Sequence, residues 1–186
     1  SKKKVKNIFP KKTLKIINVG RLVDQKDQLT LIKAVNEIKN LYKFKLILIG
    51  RGVNLKNIKQ FIKIKKLSNL VKIFYTSNPI PYMKQADIFI LSSKYEGLPN
   101  VLLESIALKK MIISSNCPTG PKEILLNGKA GLLFKVGNYK ELSKKIIFYI
   151  KNKKKCEKML NISNKEIYRF DHKINLKKYL HLVKKI

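Results

Sequence analysis

Cysteine, acidic residues, arginine and long apolar runs are all scarce in this chain of 186 residues. The two cysteines, Cys117 and Cys156, lie far apart and form no CxxC spacing. That argues against a disulfide framework and a cysteine-based zinc site, and it suits a reduced compartment. No apolar run reaches the ~18 residues of a membrane span, and no signal peptide is visible at the start. Acids number 11 against 42 basic residues, which gives a net charge of +31. Arginine occurs only as Arg21, Arg51 and Arg169, and every other basic residue is lysine. Together with abundant Asn and Ile, this looks like an AT-rich genome filling exposed positions with lysine. No RNP, KH, zinc-finger or basic-zipper pattern accompanies the charge, so specific nucleic-acid binding is disfavoured. Attraction to an anionic membrane surface stays open, since clustered lysines bind anionic headgroups without any fold requirement.

What is present is a core. Hydrophobic residues make up 45% of the chain, which excludes disorder. Residues 1–12 read as a polar leader or linker, and Ser1 without a methionine reads as the start of a piece cut from a longer protein. From residue 13 onward, short apolar runs alternate with amphipathic stretches. Strands are expected at Leu14–Val19, Phe44–Ile49, Leu70–Phe74, Asp87–Leu91, Met111–Ser114 and Leu132–Phe134. Helices are expected at Gln25–Asn40, Asn54–Lys66, Pro99–Lys109, Lys122–Asn127 and Tyr139–Lys151, with one short turn at Tyr82–Ala86. One or two polar helices follow from Cys156 to Ile186. The strands are continuously apolar, as strands covered on both faces are. The alternation predicts an α/β fold: one Rossmann-like domain with a parallel sheet of about six strands and helices on both faces. It spans residues 13–164, and no internal repeat is visible.

The stretch from Tyr95 to Ser105, YEGLPNVLLES, follows the fourth strand. Glu96 falls in a tight loop, and Glu104 about one turn into a helix that opens near Pro99. Proline suits a first helical position. A loop and helix N-terminus at the carboxyl end of a parallel strand is where open α/β sheets bind ligands, and its free amides favour anions. Taken alone, Glu96 reads more readily as a solvated loop residue and Glu104 as a surface helix residue. The first strand ends in NVGRLVDQK, where Gly20 permits a tight turn and Arg21 and Lys26 reach over one crevice. Arginine is a rigid multi-donor phosphate ligand and lysine a compact charge. Lys26, one lysine among dozens, carries little weight by itself.

The second strand ends in IGRG, where Gly50 permits close backbone approach. It is not GxGxxG, and no acid follows at the ribose-binding spacing, which disfavours a nicotinamide dehydrogenase. There is no P-loop. The third strand runs into Tyr75, Thr76 and Ser77. That loop offers backbone to a nucleobase edge, while Tyr75 equally suits a cap on the core. After the fifth strand, Gly120 sets a turn and Glu123 opens a short helix, either as a ligand for hydroxyls or as an acid answering the helix dipole. No Ser/His/Asp set and no metal cluster emerges, and His172 and His181 read as surface residues.

These pieces in this order resemble the C-terminal domain of a retaining glycosyltransferase of family 4, the group 1 glycosyltransferases. The likeness rests on the GR-x4-K spacing, IGRG, YEGLPNVLLES, TGPKEIL and GKAGLLF, and covers about Ile16 to Ile150. It implies one half of a GT-B fold, with residues 165–186 packing toward an N-terminal domain that these residues do not include. The implied activity is transfer of a hexose or N-acetylhexosamine from a nucleotide sugar, UDP-linked by analogy and with GDP open, in surface polysaccharide synthesis. Arg21 and Lys26 would bind the diphosphate, Glu104 the ribose hydroxyls and Glu96 the donor sugar. Amides of Gly97, Leu98, Pro99–Asn100 and Val101 would line the helix end, and Tyr75–Ser77 the base. No cofactor and no metal is implied. The implied location is cytoplasmic, with attachment at the inner membrane face open. This half should transfer nothing alone. Two other readings stand beside it: a UDP-sugar 2-epimerase-like domain, and a basic module for nucleic acid or anionic lipid.

Overall fold

The computed structural model describes residues 7–183. Its six strands are β1 (Leu14–Val19), β2 (Phe44–Ile49), β3 (Val71–Phe74), β4 (Ile88–Leu91), β5 (Met111–Ser115) and β6 (Leu132–Phe134). They form one sheet in the order β3-β2-β1-β4-β5-β6, parallel throughout. The helices are α1 (Gln28–Ile38), α2 (Leu55–Ile64), α3 (Ile80–Met83), α4 (Asn100–Ala107), α5 (Pro121–Ile124), α6 (Tyr139–Lys151), α7 (Lys153–Glu166) and α8 (His172–Val183). The expected α/β class and six-stranded parallel sheet are therefore the observed ones. No described helix is long and apolar enough to cross a membrane.

Side-chain alternation along each strand builds two cores. On one face Ile16, Leu46, Leu48, Ile88 and Ile90 meet α1, α2 and α6 through residues such as Leu31, Val35, Ile58 and Ile146. On the other, Ile17, Ile47, Phe89 and Leu91 meet Met83, Leu102, Ile106 and Ile124. Burial on both faces explains why the strands read as unbroken apolar runs.

Three expectations need correction. The second half of the leader is docked: Phe9 is 4% exposed in the second core, and the Ile8 amide donates to Gln85 Oε1 at 3.0 Å. Residues 1–6 of that leader lie outside the described residues, as do 184–186 of the expected C-terminal element. The helix expected from Gln25 opens at Gln28. Asp27 holds a left-handed conformation (φ 43°) and caps α1 through Oδ1, which accepts from the Thr30 amide at 3.2 Å. The cap leaves Lys26 in a short 3-10 turn, Asp24–Lys26, ahead of the helix. Pro99 sits just before α4 rather than at its first position, with extended backbone (ψ 91°) and no side-chain cap on the helix.

The strand order reverses between β1 and β4. Such a switch point opens a crevice at the carboxyl ends of the strands. The register shows how. β1 pairs with β2 along six residues but with β4 only at Ile16↔Ile88 and Ile17↔Phe89. Beyond that, the buried Asn18 side chain takes over, its Nδ2 donating to the Ile90 carbonyl at 2.8 Å. The strands part where the loops carrying Lys26 and Glu96 begin.

Candidate functional site

Lys26 and Glu96 meet across the switch point. Lys26 Nζ lies 2.5 Å from Glu96 Oε1, with side-chain exposures of 17% and 7%. Ser93 Oγ donates to the same oxygen at 2.6 Å. Glu96 is thus a held, largely buried carboxylate, and the solvated-loop reading fails. Lys26 is likewise no ordinary surface lysine.

The two loops are bonded along their length. The Lys94 amide donates to the Gln25 carbonyl at 2.8 Å, Gln25 Nε2 to the Tyr95 carbonyl at 3.0 Å, and Ser92 Oγ to the Lys26 carbonyl at 2.9 Å. Outside them, Lys94 Nζ pairs with Asp24 at 2.7 Å, and that hydrogen bond holds the lysine above its ordinary pKa. Gln28, buried at the start of α1, donates to the Arg21 carbonyl at 2.8 Å. The Arg21 side chain stays exposed, with one long contact to Gln25 Oε1 at 3.4 Å.

The turn after β5 supports the Glu96 loop from beneath. Thr119 Oγ1 donates to the Glu96 carbonyl, and Ser115 Oγ to the Ser93 carbonyl at 2.7 Å. Gly120 has φ +81°, and a β-carbon there would overlap the Gly97 carbonyl oxygen and crowd the Pro99 ring. Gly120 therefore shapes the loop rather than facing a ligand. Cys117 is buried in this turn, and burial, with the Glu96 carboxylate adding, pushes its thiol above the usual value.

A second depression, of about 410 Å³, joins the ends of β1, β2 and β3. Gly20, Arg21, Gly50, Tyr75, Thr76 and Ser77 all line it. A β-carbon at Gly50 would overlap the Gly20 carbonyl oxygen, so glycine is what lets these two strand ends approach. Tyr75 is 54% exposed and therefore does not cap the core. The Arg51 guanidinium lies 4.6 Å from the centre of its ring, a cation–π stack.

Glu104 stands apart. It is exposed on α4 and lines a different groove, with Leu103, Ala107, Tyr168 and Asp171. Leu98 and Asn100 are exposed, while Val101 is half-buried against the second core. Glu123 is exposed in the first turn of α5, so both readings of it still stand.

Sequence reasoning passed over Arg51, Ser93, Gln25, Gln28 and Thr119. Arg51 carried a signal, as one of three arginines and placed at a strand end. Ser93, three residues before Glu96, carried a weaker one. The glutamines and Thr119 carried none, because their partners lie 70, 7 and 23 residues away and two of the three bonds accept at backbone carbonyls far along the chain.

A parallel sheet of this order, with a cationic, glycine-shaped crevice at its switch point, defines a Rossmann-like α/β domain. A family model for "Glycosyl transferases group 1" matches residues 1–166, and the chain belongs to that family. It is similar to a glycosyltransferase of Methanocaldococcus jannaschii, 37% identical over 125 residues, which are 66% of this chain and 30% of that protein. A second relative is the N-acetylgalactosamine-N,N'-diacetylbacillosaminyl-diphospho-undecaprenol 4-alpha-N-acetylgalactosaminyltransferase of Campylobacter jejuni. It is 32% identical over 124 residues, 66% of this chain and 33% of that protein. Among solved structures, HepE of Anabaena in complex with UDP superposes with a TM-score of 0.84 at 21% identity. The match covers 94% of this chain and 50% of that one. The chain spans about a third of the length of these curated relatives.

Proposed function

We infer that this chain is the donor-binding half of a retaining glycosyltransferase that moves a hexose or N-acetylhexosamine from a UDP-sugar to a glycan or lipid-linked acceptor. The observation that carries the reading is the Lys26–Glu96 contact over the switch point, beside a depression that gathers Arg21, Gly50 and Tyr75. A nucleoside diphosphate spans such a pair of sites: base against Tyr75–Ser77 and Arg51, diphosphate against Arg21 and Lys26, sugar toward Glu96. The UDP bound in the Anabaena neighbour supports the choice of donor nucleotide, and the diphospho-undecaprenol in the Campylobacter relative's name supports a lipid-linked acceptor.

The residue types suit the reaction. As the bond from the anomeric carbon to the diphosphate breaks, its electron pair goes to the leaving phosphate oxygen. Arg21, Lys26 and the uncapped opening of α4 stabilise that growing charge, in a site already arranged before the step. This supply of protein cations is why the reading needs no metal. Glu96, fixed by Ser93, accepts from sugar hydroxyls and favours positive charge at the anomeric carbon. Retention follows when the acceptor oxygen attacks from the face that the diphosphate leaves, its proton passing to the departing phosphate oxygen. Glu104, on the same exposed side of α4 as Asn100, takes the ribose hydroxyls by swinging out of its groove.

The acceptor site belongs to an N-terminal GT-B half. Tyr95 and Leu98, 60% and 52% exposed on the Glu96 loop, support such a neighbour. So do Leu176 and Leu180 on α8, also about half exposed. The test is calorimetric titration with UDP and UDP-N-acetylhexosamines, with Arg21→Ala and Glu104→Ala as controls. Absence of nucleotide binding by the unsubstituted chain, or equal binding by all three proteins, would falsify the assignment.

A further inference from the structure

The excess of positive charge is gathered at one pole of the domain. All six strands are parallel, so every connection from a helix back into a strand lies at the sheet's amino-terminal edge, opposite the candidate donor site. The α1–β2 connection carries Lys39 and Lys43, α2–β3 carries Lys65 and Lys66, and α4–β5 carries Lys109 and Lys110. Lys84 lies between α3 and β4, Lys129 ahead of β6, and Lys154 at the α6–α7 corner. Among the described residues of the helix-to-strand connections, Asp87 is the one acid, engaged by the Lys15 amide at 2.8 Å, and Glu157 on α7 lines a groove with it, Lys109 and Lys110.

The opposite edge is less one-sided. Its six strand-to-helix loops hold Arg21, Lys26, Arg51, Lys94 and Lys135 against Asp24, Asp27 and Glu96. Codon usage that fills exposed positions with lysine would load both edges alike. Parallel helix dipoles favour cations at this pole, and three lysines answer backbone there directly. Lys39 Nζ donates to the Lys65 carbonyl, Lys45 Nζ to that of Asn69, and Lys110 Nζ to those of Lys84 and Ala86. Lys43, Lys66, Lys84, Lys109 and Lys154 make no side-chain bond to the described residues. Lys66 and Lys109 even occupy left-handed positions (φ 54° and 55°), where Gly or Asn is the usual helix-ending residue.

Two aliphatic side chains stand among these cations. Leu41 is 67% exposed between Lys39 and Lys43, and Ile64 is 64% exposed beside Lys65. Lys39 Nζ bonds the Lys65 carbonyl at 2.9 Å, so the two connections adjoin. We propose that this lysine-rich pole, with Leu41 and Ile64 at its β2–β3 end, is a docking surface for an anionic lipid bilayer. Lysines pair with headgroup phosphates as mobile point charges, while aliphatic tips enter the headgroup–acyl boundary. A nucleic-acid surface would favour arginine forks and exposed aromatics; the three arginines all lie elsewhere, and the exposed pair is Leu and Ile. Docked this way, the donor edge faces the aqueous phase, which suits the glycan rather than the lipid-linked acceptor.

The test is co-sedimentation of the 186-residue chain with vesicles of phosphatidylcholine alone or with roughly 30 mol% phosphatidylglycerol, a surface that attracts basic segments. One variant joins Lys43→Gln, Lys66→Gln, Lys109→Gln and Lys154→Gln. A charge-matched control joins Lys56→Gln, Lys59→Gln, Lys135→Gln and Lys140→Gln, all away from the pole. A third joins Leu41→Ser and Ile64→Ser, and circular dichroism checks that each folds. Binding to anionic vesicles should exceed binding to neutral ones by at least about tenfold, fall about tenfold in the pole variant and less than about threefold in the control. The Leu41/Ile64 variant should lose vesicle binding and keep its retention on heparin. Absence of vesicle binding, equal losses in pole and control variants, vesicle binding indifferent to Leu41 and Ile64, or tighter binding to duplex DNA than to vesicles each overturns the proposal.

Discussion

Lys26 Nζ sits 2.5 Å from Glu96 Oε1, joining two residues 70 positions apart in the chain. The pair links the proposed diphosphate ligand to the proposed sugar ligand. In the unliganded domain each satisfies the other, so an incoming diphosphate competes with a carboxylate for Lys26. A donor carrying its sugar compensates Glu96 with hydroxyl donors, whereas the bare nucleotide does not. Under the proposed roles, the contact makes recognition of the two halves of the donor interdependent.

The competition has a sign that titration reads. Lys26→Ala should weaken UDP binding about tenfold or more, the value of a charge-assisted contact. Glu96→Gln should strengthen UDP binding about two- to fivefold, because the largely buried carboxylate that holds Lys26 in the unliganded domain is gone. The same variant should lose the preference for UDP-sugar over UDP. Weaker UDP binding by Glu96→Gln would show that the two side chains act together on the nucleotide rather than in competition.

Arg51 and Tyr75 form the wall of the depression beside Gly20 and Gly50. Both are exposed, so their stack contributes little to folding and is available to a base or a phosphate. Arg51→Leu should reduce UDP affinity about three- to tenfold, as expected for a cation–π contact of 0.5 to 2 kcal/mol or so, with the melting temperature nearly unchanged. Arg51→Lys should recover only part of the loss, since lysine keeps the charge but not the planar stack. Full recovery would assign the role to charge alone. Val53→Ala, at an 84% exposed position in the same connection, serves as the neutral control.

The sheet was legible because burial on both faces writes it as apolar runs, and helices between them impose parallel order. Glu96 and Lys26 were legible as members of a pattern, but not as partners. Nothing in a sequence of 42 basic residues marks one lysine as 17% exposed. That property comes from Asp27, whose left-handed cap on α1 delays the helix and turns Lys26 inward. Glu104 was legible as a helix residue, yet its groove is built by Tyr168 and Asp171, some sixty residues further on. Phe9 was misread because SKKKVKNIFP is polar on average, and a single aromatic side chain anchors its end in the second core.

Gly120 tests how firmly the donor loop is set. Its φ of +81° is unfavourable for any residue with a β-carbon, and that carbon would overlap the Gly97 carbonyl. Gly120→Ala should cost about 2 to 4 kcal/mol through strain and forced movement of the Gly97–Pro99 loop. In a domain of this size that lowers the melting temperature by roughly 5 to 15 °C. Gly97→Ala should cost far less, because a β-carbon there meets nothing within 4 Å. Equal losses in both variants would mean that loop flexibility, and not the seat against Gly120, holds the stretch.

Cys117 reports on the same loop from below. Burial raises its thiol, and the Glu96 carboxylate raises it further, while Ser115 works in the opposite direction. The thiolate is the reactive form. At pH 8 the folded thiol therefore holds less thiolate than an unfolded one, and alkylation by iodoacetamide should run at least about tenfold slower than in denaturant. Its rate should climb only at a pH above the ordinary thiol range of about 8.5. Cys156 is also buried and raised by burial, so the measurement uses Cys156→Ser to isolate Cys117. Adding Glu96→Gln removes one raising cause and leaves the larger one, so the onset should move to lower pH without reaching that of the unfolded chain. An unmoved onset would place the carboxylate's charge too far from the thiol to matter. An onset that falls all the way to the unfolded value would mean that the loop has opened and that Glu96, with Lys26 and Ser93, is what keeps Cys117 buried.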